Sequence, residues 1–172
     1  MVNLTPRLRK LALTAHVTSS VGWLGAVVVF LALAVVAVTS DDPETVRGAY
    51  LVMEPSAWLV LVPLAFATLL TGVIVSLGTP WGLVRHYWVL AKLLISAFST
   101  VVLLMYMGTF RAMADVAADP GADVAAVRSL SPILHAGAAL VVLLAAVVLS
   151  VHKPRGTTRY ARRRSVQRRP VP

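Results

Sequence analysis

Four long apolar runs, at about 11–38, 57–77, 87–109 and 132–152, alternate with short polar stretches. Each reaches or exceeds the roughly 20 apolar residues that a helix needs to cross the hydrocarbon core of a bilayer. None shows the period-two alternation of a half-buried strand. A single span must also satisfy its own backbone hydrogen bonds in lipid, which only a helix does. The pattern predicts an all-α integral membrane four-helix bundle over residues 1–152, followed by a basic tail, 153–172, expected to be disordered. The first run opens behind Arg7, Arg9 and Lys10 as a signal peptide would. Its length of about 28 residues far exceeds the 7–15 of a signal core, so a retained span is expected.

The polar stretches 39–56 and 110–131 read as connectors with short helical turns at most, because Asp42-Pro43 and Asp119-Pro120-Gly121 are turn signals. Gly78-Thr79-Pro80-Trp81-Gly82 reads as a tight turn that sets Trp81 at interface height.

Composition supports lipid as the solvent. The chain is 58% hydrophobic and 13% charged, against about 25% charged in a soluble domain. It has no cysteine, which excludes disulfides, iron–sulfur clusters and thiol nucleophiles. A net charge of +9 suits nucleic acid in principle, but its distribution argues against that partner. Twelve of the sixteen basic residues precede the first run, sit at Arg85 or crowd the tail, and all seven acids fall in the other two connections. Basic residues mark the cytoplasmic side, so both termini are expected in the cytoplasm. The tail then reads as an anchor on anionic lipid.

Ionisable side chains within spans are costly and are functional candidates. His16 and Lys92 each lie five residues inside a span that starts at the same face. At 1.5 Å per residue both sit roughly 7–8 Å deep. On helical spacing His16 shares a face with Ser20 and Trp23, and Lys92 with Ser96 and Ser99. The second span carries Thr68, Gly72 and Ser76, and the fourth Ser131 and His135; such small and hydroxyl residues also serve ordinary helix packing. His86 and His152 read as interfacial. A second set, His135, Met105, Met107 and Met53, with Glu54 and Met113, lies near the acidic ends of the spans. Thioether with imidazole suits Cu(I), whereas methionine is also a common gap-filler. Met105 and Met107, two residues apart, do not share a helix face. No phosphate loop, zinc-protease motif or nucleophile elbow is present, and nothing resembles a channel filter.

The first span carries His16-x6-Trp23-x-Gly25 and the third Trp88-x3-Lys92-Leu93. Over nearly the whole chain these resemble a family of small bacterial integral membrane proteins of unassigned activity, the DUF2269 type. They also resemble, in part, the membrane domain of copper-resistance D-type proteins and the four-span, haem-b-binding protoporphyrinogen oxidase. The resemblance implies a multi-pass protein of the bacterial plasma membrane. It also implies a haem b site in which His16 is an axial ligand to the iron and Lys92 a second ligand or propionate partner, with Trp23, Ser20 and Ser96 alongside. Electron exchange with a quinone or a porphyrinogen would follow. The oxidase has a basic, aromatic stretch after its first-span tryptophan, whereas this chain continues Ala26-Val27-Val28-Val29-Phe30, so the porphyrinogen chemistry is not carried over. Copper handling through His135, Met105, Met107 and Met53 is the alternative expectation. A structural or regulatory subunit without a cofactor is the third, and a homo-oligomer is compatible with the pattern.

Overall fold

A computed structural model describes residues 4–79 and 82–152, with Pro154, Gly156 and Thr158. Four long helices make up the fold: α1 (Pro6–Thr39), α2 (Pro43–Leu77), α3 (Tyr87–Ala118) and α4 (Ser131–His152). No strand occurs among the described residues. All four are long and apolar enough to cross a membrane. Their outer faces carry apolar side chains such as Leu59, Phe98 and Val141, each at least 67% exposed. Lipid is the solvent that suits such a surface, and four such helices suggest a multi-pass membrane protein.

Helix α1 packs on α2 and α4, and so does α3. The order around the bundle is therefore α1–α2–α3–α4, with α1 and α3 facing across a diagonal. One end of the bundle holds the start of α1, the end of α4 and the described residues of the link between α2 and α3; this is called the basic end below. The opposite, acidic end holds the other two connections.

The acidic end departs from the sequence expectation, because most of the two stretches expected as connectors is helical. Asp42 caps α2 by accepting from the N–H groups of Glu44 (3.3 Å) and Thr45 (3.1 Å), and Pro43 follows at the first helical position. Asp-Pro here starts a helix, since proline lacks only a donor that is orphaned anyway. Hydrogen bonds from the Thr45 hydroxyl and backbone hold the Asp42 carboxyl below the usual carboxylate range. Val46, Ala49, Tyr50 and Met53 of α2 are buried, as are Phe110, Met113 and Ala117 of α3. Their helical spacing was masked by the charged residues between them. These side chains form the acidic-end half of the core.

Arg47 holds this end together. Its guanidinium donates to the carbonyls of Ala117 (3.1 Å), Asp119 (2.6 Å), Pro120 (3.4 Å) and Ala122 (2.6 Å). It thereby satisfies the orphan carbonyls at the end of α3 with a cation, where the helix dipole favours one. Arg128 donates to the Ser40 carbonyl at the end of α1, and the Tyr50 hydroxyl to Val127 O at 3.2 Å.

Helix α2 is not uniform. Residues Ala57–Leu61 form a π turn, in which the Val62 N–H reaches back to Ala57 O. The turn lies between Pro55, inside the helix, and Pro63, both of which remove backbone donors. Its effect is one of register. Met53, Ala57, Leu61 and Ala65 are all at most 4% exposed and recur every four residues. An α-helix completes three turns in about 11 residues, so twelve would walk off one face. The wider turn absorbs the extra residue.

At the basic end, Gly82 adopts φ 61°, a left-handed conformation that favours glycine, and its N–H closes on Thr79 O at 3.2 Å. Trp81, expected at interface height, lies outside the described residues, as does most of the tail. Of the tail's described residues, Thr158 is buried and donates its hydroxyl to Val84 O (2.7 Å) and its N–H to Arg85 O (3.0 Å).

Candidate functional site

A cleft of about 580 Å3 opens between the four helices in the basic-end half. Pockets of roughly 300–1,000 Å3 hold small molecules and cofactors. His16 and Ser20 of α1 line it, with Lys92 and Ser96 of α3. The two ionisable residues thus converge from diagonal helices. Helix α2 contributes Thr68, Gly72 and Ser76, and Arg9 and Ser150 also lie in the wall. No carboxylate lines it, so the cleft is a cationic and hydroxyl-bearing space inside an apolar bundle.

The imidazole of His16 is held in a defined state. Its Nδ1 lies 3.1 Å from Thr71 Oγ1. The Thr71 hydroxyl gives its one proton to Ala67 O at 2.5 Å, so toward His16 it accepts. That arrangement favours the tautomer with the hydrogen on Nδ1 and the lone pair on Nε2. Ser19, buried beside them, donates to His16 O at 3.1 Å and lies 3.5 Å from Thr71 Oγ1. The ring lies against Gly72, where a Cβ would meet His16 Cε1 at 3.1 Å. A side chain here would press on the ring and shift it by a few tenths of an ångström.

Lys92 Nζ lies 5.7 Å from the centroid of the Trp88 ring, within cation–π range, and both residues line the cleft. Thr68 is 6% exposed, also lines the cleft, and its Oγ1 has no hydrogen-bond partner among the described residues. A buried hydroxyl without a partner costs about 1–3 kcal/mol.

Four of the five residues expected at this site, His16, Lys92, Ser20 and Ser96, share the cleft. Trp23 does not. It is 3% exposed in the core and lines a second, smaller cavity in the acidic-end half, as does Ser99. The faces expected from spacing thus run past the cleft into the core. Arg9, Thr71 and Ser19 were missed.

The copper candidates are not gathered on one cavity. Met53 and His135 line the second cavity; Met107 is buried, and Met105 is 78% exposed on the outer surface. Among the described residues no group of three or more His, Cys, Asp or Glu could hold a metal ion. His86 caps the start of α3, and His152 ends α4 with its Nδ1 3.1 Å from Val148 O.

Compared with family profiles, curated proteins and solved structures, the chain matches none.

Proposed function

We propose that this chain is a bacterial plasma-membrane protein, with both termini cytoplasmic, that holds haem b in the basic-end cleft for electron transfer. The observation that carries the reading is the convergence of His16 and Lys92 on one cofactor-sized space, with Nδ1 of His16 engaged and Nε2 left as a lone pair. A metal-ligating histidine characteristically donates its other ring N–H to a fixed acceptor, which sets tautomer and orientation. The placement of twelve of the sixteen Lys and Arg residues before the first apolar run, at Arg85 and in the tail supports the cytoplasmic assignment of the cleft.

The residues present fit the group. His16 Nε2 would hold the iron. Lys92 and Arg9 supply cations for the two propionate carboxylates, where a carboxylate in the wall would repel them. Ser20 and Ser96 would supply hydroxyls for the polar edge, and Leu13, Val17 and Leu93 apolar contact. When bound, haem b brings a one-electron couple whose potential depends on axial ligation and burial. The protein's part is to fix the imidazole, neutralise the carboxylates and exclude water with the apolar walls.

Haem content tests this directly. Chain expressed with haem supply and purified in detergent should yield about one haem b per chain on extraction. Haem-free protein from cells replete in haem would contradict the reading and favour a structural or regulatory subunit.

A further inference from the structure

The second cavity has a volume of about 140 Å3 and lies in the acidic-end half, among all four helices. Its walls include the rings of Trp23, Phe30, Phe98, Tyr106 and Phe110. An apolar protein cavity of about 150 Å3 is known to take up one benzene ring, so this space fits a single six-membered ring and little more.

Besides the hydroxyls of Ser99 and Tyr106, its wall holds the imidazole of His135, an exposed residue that can accept a hydrogen bond. His135 stacks on Tyr106, with ring centroids 4.1 Å apart. Its Nδ1 lies 2.8 Å from Ser131 O, a carbonyl that can only accept, so Nδ1 carries the hydrogen and Nε2 the lone pair. The Tyr106 hydroxyl is already committed, donating to Ser131 Oγ at 2.9 Å. The site thus combines a ring-sized aromatic slot with one imidazole acceptor at its wall.

We infer that this cavity binds a hydroxyl-bearing aromatic ring, a phenol or hydroquinone headgroup, with its O–H donated to His135 Nε2. The ring comes either from a free phenol or from an isoprenoid hydroquinone dissolved in the bilayer. The site shares no wall residue with the basic-end cleft and does not depend on haem.

Titration calorimetry of the full chain in detergent, with micelle heats subtracted, tests it using p-cresol and toluene. Wild type should bind both saturably, with p-cresol about tenfold tighter, the worth of one hydrogen bond. His135→Phe, which keeps an aromatic ring beside Tyr106, should bind both equally. Ala139→Leu, which places a larger side chain in the cavity wall, should bind neither. No saturable binding by wild type, or an undiminished cresol preference in His135→Phe, overturns the inference. Repeating the titration with hydroquinone and with its isoprenoid-tailed form separates the sources. Tighter binding of the tailed form assigns a bilayer quinol, and equal binding a free phenol.

Discussion

At the residue scale, the account turns on how His16 is held. Its ring is wedged between the Thr71 hydroxyl and the bare Cα of Gly72. Gly72→Ala should push the ring off its seat by a few tenths of an ångström. Overpacking of this kind costs about 1–3 kcal/mol, and haem affinity should fall with it in a titration followed by visible absorbance. Gly25→Ala is the control, because a Cβ there meets nothing within 4 Å, and haem affinity should be unchanged. Thr71→Val keeps the shape but removes the acceptor for Nδ1–H. Loss of a partner behind a ligating histidine typically costs 10–100-fold in affinity, and the same titration should show a loss of that size. Unchanged affinity in Thr71→Val would mean that the contact does not orient a ligand. His16 and Lys92 were legible in the sequence because ionisable residues are rare in spans and these two shared a depth. Thr71 was not, since a hydroxyl on an apolar helix looks the same whether it back-bonds to its own helix or also serves a neighbour.

At the element scale, α2 carries the register of the site. The π turn Ala57–Leu61 lets Met53, Ala57, Leu61 and Ala65 stay on one face and so aims Thr68, Thr71 and Gly72 at α1. Deleting Val60, an exposed residue inside the turn, should restore α-helical pitch. It leaves 11 residues, about three α-turns, between the Met53 and Ala65 positions, so both halves of α2 should keep their faces. The expected outcome is helicity and haem binding both retained, measured by circular dichroism and absorbance. Loss of haem binding in a folded deletion variant would contradict this reading of the turn. Sequence pattern could not show this device, because a repeat of four is near enough to 3.6 to pass as an ordinary helix over short stretches. It could not show the early start of α2 either. Asp42-Pro43 marks both turns and helix starts, and only the buried series beginning at Val46 decides between them.

At the scale of the whole molecule, the bundle is polarised along its length. The acidic half holds most of the buried core and the smaller cavity, with its connections tied by Arg47 and Arg128 to backbone carbonyls. The basic half is parted by the cleft. The four helices and their apolar exteriors followed from the hydrophobic pattern, because lipid imposes length and composition on each span independently. Their order around the bundle did not follow, since it depends on which faces meet. Orientation in the membrane can be measured on this cysteine-free chain. A single cysteine at Gly121 should react with an impermeant maleimide added to intact cells, whereas one at Asn3 should react only after lysis. The reverse pattern would invert the assignment and place the cleft outside.

The central claim, a haem b site built on His16, is tested most directly by oxidised and dithionite-reduced visible spectra of the purified chain beside those of His16→Ala. The account predicts a Soret band and a reduced α-band in the parent chain, both lost in a His16→Ala protein that keeps its helical circular dichroism. A parent chain without a Soret band after haem supply, or a folded His16→Ala protein whose spectrum is unchanged, would contradict it.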